Sequence, residues 1–282
     1  MTRRLILPWL GLMLSVPAAG QLAAPNDAGV AMGHLHYFVE DVAANRDFWV
    51  ALGGRASPFA AGELVEMPGV TILISERSST VGGSVLDHVA FRVESLDAIA
   101  ARGFELEMVE AFPGIASIYT PSGDRVELFE EGTATNIGFD VADGASFDAA
   151  DPERHNRPLM QPVVTHHMHY YVPEDEVVAA RDWYVEHFGA VPGMRWRYDA
   201  ADLPGMNLNF SAGADERAPT SGRSLDHVGF EIANLEAFCR ALEAAGIEFD
   251  QPFRRVNERF ALAILTDPWG VTLELTEGLR DF

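Results

Sequence analysis

The feature that most limits what this chain can fold into is that it is written twice. His34-Leu35-His36-Tyr37-Phe38-Val39 returns as His167-Met168-His169-Tyr170-Tyr171-Val172. The matches continue in register. Asn45-Arg46-Asp47-Phe48-Trp49 answers to Ala180-Arg181-Asp182-Trp183-Tyr184, Pro68-Gly69-Val70 to Pro204-Gly205-Met206, and Leu86-Asp87-His88-Val89 to Leu225-Asp226-His227-Val228. A long internal repeat means that one supersecondary unit has been copied, so each copy must fold alike.

Within each copy, period-two alternation of aromatic and branched residues marks strands, and capped amphipathic stretches mark helices. The first copy has a strand at His34–Val39 and a helix at Val42–Leu52, capped by Asp41 and stopped by Gly53-Gly54. Strands follow near Gly62–Glu66 and Val70–Ser75, then a strand at Leu86–Val93, a helix at Leu96–Arg102 and a hairpin of Ser117–Thr120 with Arg125–Glu130. The second copy repeats this order. It has a strand at His167–Val172, a helix at Val177–Phe188, strands near Met194–Tyr198 and Met206–Ser211, and a strand at Leu225–Ile232. A helix at Leu235–Ala245 and a closing hairpin of Leu262–Thr266 with Val271–Thr276 complete it. Residues 132–162, rich in Asp, Ala, Gly and Pro, are expected to link a first domain at 31–131 to a second at 163–279. The predicted class is α+β.

The first 20 residues are of another kind. Arg3-Arg4 precede an apolar run from Leu5 to Val16 and then Ala18-Ala19-Gly20. That is the layout of an export signal cut near Gly20–Gln21, with a run too short for a membrane span. Thr2-Arg3-Arg4-Leu5-Ile6-Leu7 also resembles a twin-arginine signal. The mature protein is therefore expected to be periplasmic or secreted and not membrane-bound. A formal net charge of −22 argues against nucleic acid as a partner, because phosphates would be repelled. The single cysteine, Cys239, excludes an intrachain disulfide and a cysteine zinc cluster.

Chemistry is concentrated where the copies agree. His34, His88 and Glu127 recur as His167, His227 and Glu274. In their strands Val89, Phe91 and Val93, and then Val126 and Leu128, make the apolar face, which leaves the histidines and glutamates on the more polar one. Two imidazoles and a carboxylate are a facial ligand set for Fe(II), and they suit Mn, Zn, Ni or Co as well. His36 and His169 share the strand face of His34 and His167 and are candidate acid–base groups, since imidazole titrates near neutrality. Arg92 and Glu231 follow the same parity and are candidate substrate contacts.

These motifs resemble the glyoxalase/bleomycin-resistance/extradiol-dioxygenase superfamily, the vicinal oxygen chelate fold, over about residues 31–277. The resemblance rests on His34 to Asp41 with Arg46-Asp47-Phe48-Trp49, on Asp87-His88-Val89-Ala90-Phe91, on Pro121 to Leu128, and on their second-copy counterparts. It implies four βαβββ modules with mixed, curled sheets, forming two tandem domains with one cavity per half. Each metal would be held by the first-strand His, the second-module His and the last-strand Glu of its own half. Glyoxalase I enzymes usually add a fourth ligand, a Glu, at places that fall here at Leu73 and Asn209, so Asn209 is grouped with the substrate contacts. The His and Tyr of ring-cleaving extradiol enzymes have no counterpart between His227 and Glu274.

The function expected on this basis is an exported, metal-dependent enzyme acting on a small oxygen-chelating substrate. It is dioxygenase-like with Fe(II) favoured, against a glyoxalase-, epimerase- or lyase-type reaction with a redox-inert metal. A metal-independent small-molecule binding protein is the rival from another class. A homodimer is left open.

Overall fold

The computed structural model describes residues 22–133, 138–144, 159, 161–213 and 216–281. The proposed export signal and its cleavage point lie outside them, as does most of the proposed linker. Among the described residues no helix is long and apolar enough to cross a membrane.

The chain is mixed α+β, with two large mixed sheets and few helices, as the repeat predicts. Four modules follow one another. The first holds β1 (Val30–Val39), α1 (Val42–Leu52), β2 (Arg55–Phe59), β3 (Gly62–Met67) and β4 (Val70–Glu76). The second holds β5 (Leu86–Val93), α2 (Leu96–Ala100), β6 (Glu107–Met108), β7 (Ile115–Tyr119) and β8 (Arg125–Glu130). After β9 (Phe139–Val141), the third holds β10 (Val163–Val172), α3 (Val177–Phe188), β11 (Val191–Arg195), β12 (Tyr198–Leu203) and β13 (Met206–Ala212). The fourth holds β14 (Leu225–Ile232), α4 (Leu235–Ala244), β15 (Gln251–Arg255), β16 (Ala261–Thr266) and β17 (Thr272–Glu277).

How the modules pair departs from the expectation of one cavity per half. The first sheet runs β15-β16-β17-β14-β1-β4-β3-β2, joining the first module to the fourth. The second runs β6-β7-β8-β5-β10-β13-β12-β11-β9, joining the second module to the third. The connections after β4 and β13 run side by side, bridged at Thr80 with Arg223 and at Ser84 with Ala218, and carry the two halves across each other. Strand parity fixes which face a residue takes, but not which strand lies alongside.

Two smaller differences have local causes. Residues 139–141, within the expected linker, form an edge strand against β11, with Phe139 packed on Val191 and Ala200. Three residues are too few to show periodicity. The strand expected near Met194–Tyr198 is instead split by a turn in which Trp196 takes a left-handed backbone, φ 54°.

The apolar faces of both sheets and the helices share one core. Trp49 of α1 lies 5.6 Å from the Tyr37 ring on β1 and 5.9 Å from Phe91 on β5. Phe188 of α3 lies 5.2 Å from Phe230 on β14. Burial of these large rings, at about 25 cal/mol per Å² of apolar surface, locks each sheet's apolar face inward and leaves the histidines on the opposite face.

Candidate metal centres

Register builds each centre. In the first sheet β1 runs antiparallel to β14, pairing His36 with His227 and His34 with Gly229, while β14 runs parallel to β17 and pairs Gly229 with Glu274. His34, Gly229 and Glu274 thus stand in a row across three strands. Paired residues share a face, and the absent side chain at Gly229 lets the His34 ring lean across to Glu274. A Cβ there would run into that ring. The second sheet repeats the row as His167, Ala90 and Glu127, with His169 paired to His88. In both centres the register shifts just before the first histidine and again after the second. Such bulges re-aim side chains next to functional sites.

The expected ligand sets are therefore regrouped. His34 meets His227 and Glu274, not His88 and Glu127, and His88 with Glu127 meets His167. The six residues form two clusters, each drawn from both halves.

In the first centre His34 Nε2 lies 3.0 Å from Glu274 Oε2, and His227 Nε2 lies 3.1 Å from the same oxygen. His36 Nδ1 lies 3.2 Å from His227 Nε2. One donor atom from each of His34, His36, His227 and Glu274 falls within 4.8 Å of the others. Outer groups aim these donors. Asp226 Oδ1 accepts from His227 Nδ1 at 2.9 Å, and Ser75 Oγ meets His36 Nε2 at 2.9 Å. Arg77 pairs with Asp226 at 2.6 Å and lies 3.4 Å over the Phe38 ring, which stacks on His36. Carboxylate-backed imidazoles are the usual support of a metal ligand.

The electrostatics favour a cation here. Burial alone would lower the His227 pKa, but the carboxylates of Asp226 and Glu274 hold it up, at about 9. Burial would raise Glu274, yet His227 and His34 hold it well below the carboxylate range. Burial, then the charge of His227, pushes His36 down to about 3. This pocket therefore holds an ionised carboxylate and neutral imidazole beside the His227 imidazolium, whose Nε2 proton a bound cation would displace. The buried His34 Nδ1 has no partner among the described residues, which leaves that ring free to take the tautomer with an Nε2 lone pair. The donor set fits a divalent metal.

The second centre repeats most of this. His88 Nδ1 donates to Asp87 at 2.9 Å, His169 Nε2 meets Ser211 Oγ at 2.7 Å, and Arg217 bonds Asp87 and lies 4.6 Å over the Tyr171 ring. His88, His167 and His169 each bring a nitrogen within 4.8 Å of the others. Burial, then His88, pushes His169 down to about 3. Two features nonetheless work against a cation. Arg125 stands where the first centre has Thr272, its Nη2 only 3.4 Å from His88 Nε2 and 3.1 Å from Glu127 Oε1. Like charges about 4 Å apart repel by about 4 kcal/mol per unit of charge at an effective dielectric near 20.

The other feature is the tautomer of His167. Arg195 Nη1 donates to His166 Nε2 at 2.9 Å, so the proton of His166 is on Nδ1 and is directed at His167 Nδ1, 2.8 Å away. Burial keeps His167 neutral, its pKa well below the ordinary value. Its own proton therefore sits on Nε2 and faces Glu127 Oε2 at 3.6 Å, where a ligand would need a lone pair.

Two sequence candidates stand elsewhere. Arg92 is buried and ion-paired with Glu131 at 2.7 Å. Glu231 is buried and accepts from Thr276 Oγ1 at 2.8 Å and from the backbone N–H groups of Gly278 and Leu279. Both share the centres' parity, but they anchor the chain just beyond the last strand of their module. Asn209 lines a cavity of about 260 Å³ beside the second centre. Sequence reasoning passed over Asp226, Asp87, Ser75, Ser211 and Arg125. The first four recur in both copies, which was the available signal, and Arg125 breaks the repeat.

Residues 138–275 match the glyoxalase/bleomycin resistance protein/dioxygenase superfamily. The second half of the chain thus holds a domain of that superfamily. Glyoxalase I from Zea mays shares its fold, with a TM-score of 0.63 at 13% identity over 89% of this chain and 94% of that one. A provisionally named dioxygenase from Bacillus subtilis does so with a TM-score of 0.60 at 14% identity, over 92% of this chain and 86% of that one. At this identity the likeness is one of fold. No curated protein matches the sequence. That match accords with the repeated modules and with histidine-rich candidate metal sites, and it leaves the reaction open.

Proposed function

We propose that the first centre is the active site of a divalent-metal-dependent enzyme acting on a small substrate with two adjacent oxygens, in a protein exported from the cytoplasm. The convergence of His34, His36, His227 and Glu274, whose Nε2, Nδ1, Nε2 and Oε2 atoms face one another, carries the reading. When bound, a divalent ion there would act as a Lewis acid, polarising the oxygens of a chelating substrate.

His36 shifts the balance between the two reaction types. The sequence offered three ligands per centre, which suits Fe(II) and oxygen chemistry. The fourth donor comes from β1 itself, two residues after His34, with Ser75 holding its Nδ1 inward. If all four donors held a six-coordinate ion, a bidentate substrate would take the two remaining positions and dioxygen would have none. The site is therefore assigned to isomerase- or lyase-type chemistry with a redox-inert metal such as Zn, Ni, Co or Mn. The chain's own part is to hold two oxygens against the cluster and to keep a neutral imidazole next to them as proton acceptor should His36 release the metal. Dioxygenase-like chemistry with Fe(II) is the second reading, favoured if His36 stays outside the coordination sphere.

The test is metal analysis of the mature protein purified without chelator, followed by turnover assays on vicinal diols and α-hydroxycarbonyl compounds with oxygen uptake recorded. Turnover with Zn or Ni and no oxygen uptake is expected. Oxygen uptake that requires Fe(II) would transfer the assignment to the dioxygenase reading. A protein that takes up no cation, unchanged by His227→Ala, would overturn both in favour of a binding protein.

A further inference from the structure

Several differences between the two centres bear on what each can hold. Where the first has Thr272, Leu73 and Gly229, the second has Arg125, Asn209 and Ala90. Matching turns join β2 to β3 and β11 to β12, with Ala60 at φ 49° in one and Trp196 at φ 54° in the other. A left-handed backbone is costly for a bulky side chain and persists where the surroundings fix it. Here the Trp196 ring stands 5.3 Å from Phe112 at the mouth of the 260 Å³ cavity.

The cavity is built for something other than a metal ion. Phe112, Phe129, Trp196 and Tyr198 wall it, and Arg125 and His169 reach it from the sheet. A cavity of about 150 Å³ already holds benzene, so this one has space for a single substituted ring. A buried polar atom on its lining lacks a partner, and an exposed guanidinium at its mouth is left without a carboxylate. Asn209 is 1% exposed, and its Oδ1 accepts no hydrogen bond among the described residues. Arg197 lies 4.3 Å over the Trp196 ring, touches Tyr198 Oη at 3.4 Å, and makes no ion pair among the described residues. That is notable in a chain with 42 acidic residues and 20 basic ones. A free guanidinium seeks a carboxylate, and a buried amide oxygen seeks a hydroxyl.

We propose that the second centre is a metal-free pocket for a small aromatic carboxylate bearing a hydroxyl group, with Arg197 taking the carboxylate, Asn209 Oδ1 accepting from the hydroxyl, and Arg125 occupying the place of a cation. The ring lies between Trp196 and the other aromatic walls. The proposal does not rest on the first centre, whose metal content is measured separately.

The test uses the full mature chain with 4-hydroxybenzoate, followed by calorimetry and tryptophan fluorescence, and with Co(II) counted after equilibrium dialysis. The expected result is one site for 4-hydroxybenzoate, weakened tenfold or more in both Arg197→Ala and Asn209→Leu and unchanged in His227→Ala. Glu127→Gln is expected to leave Co(II) uptake as it was. Retention of the wild-type melting temperature in each variant separates these effects from misfolding. Loss of an equivalent of Co(II) in Glu127→Gln, or no 4-hydroxybenzoate binding that depends on Arg197, would each overturn the proposal. Absence of Co(II) uptake that depends on His227 would instead sink the active-site assignment and leave the carboxylate pocket standing.

Discussion

Asp226 Oδ1 accepts from His227 Nδ1 at 2.9 Å and so presents the His227 Nε2 to Glu274, 3.1 Å away. The same aspartate is tied from behind by Arg77 at 2.6 Å and by the Gly222 N–H at 2.7 Å. Its role is to aim and polarise a ligand it does not replace. Asp226→Asn keeps the shape and removes the charge. Metal affinity in the first centre is expected to fall by about 10–100-fold, with the melting temperature changed by only a few degrees. A competition titration with a chelating dye measures it, and an unchanged affinity would remove Asp226 from the centre.

Gly229 is the position where the close approach of β1 and β14 depends on a missing side chain. A methyl group there meets the His34 ring. Gly229→Ala is expected to cost about 1–3 kcal/mol of stability, as overpacking does, and to abolish cation binding at the first centre. The matching residue of the second sheet is Ala90, which is buried, so that sheet tolerates the methyl. Urea unfolding together with the metal titration separates the two effects. Stability and affinity both unaffected would mean that the ring does not lean across this residue.

How much of this the sequence carried can be judged residue by residue. Alternation correctly put His34, His36 and Phe38 on one face and Tyr37 in the core, where it is 1% exposed. The same rule could not tell Glu231 from Glu274. Both have the right parity, but one ends at the chain's last turn and the other at the centre. Nor could it tell whether His34 meets His88 or His227, because spacing along the chain says nothing of which strand lies alongside. Trp196 broke the strand pattern for a local reason, a left-handed turn that Trp is not expected to occupy.

Glu231 is a test of that distinction. Its carboxylate accepts from Thr276 Oγ1 and from the Gly278 and Leu279 N–H groups in a buried site. Glu231→Ala strands three donors, which predicts a loss of about 2–4 kcal/mol. Cation stoichiometry and affinity at the first centre should not change. A variant that keeps its stability but loses turnover would return Glu231 to the substrate contacts.

Asp267 gives the fold a pH signature. It sits in the last hairpin turn, accepting from Tyr184 Oη at 2.7 Å and from the Trp269 and Val271 N–H groups. Burial pushes its pKa up from the ordinary 3.8 to about 6, against the pull of those donors. A carboxyl raised on folding contributes stability that is fully present below about 4 and is lost as pH rises through about 6. The difference between those values corresponds to about 3 kcal/mol. Asp267→Asn removes this dependence. The stability of the native chain relative to the variant should fall between pH 4 and pH 7, measured by urea unfolding at each pH. A constant difference would show that Asp267 is ionised throughout.

His36 decides how many positions a bound metal leaves for substrate. Its Nδ1 faces His227 Nε2 at 3.2 Å while Nε2 meets Ser75 Oγ at 2.9 Å, so the ring is held from outside and points inward. If it is a ligand, His36→Ala removes a metal bond, whereas Ser75→Ala removes only the support behind one. The first should weaken Co(II) binding by more than the 10–100-fold typical of an outer partner, and the second should stay within that range. The visible spectrum of the Co(II) protein should also change with His36→Ala, because the coordination number changes, and stay close to that of the native protein with Ser75→Ala. Equal, small effects of the two substitutions would place His36 outside the coordination sphere. The centre would then have three protein ligands and a free position for dioxygen, and the oxidative reading would gain what the isomerase reading loses.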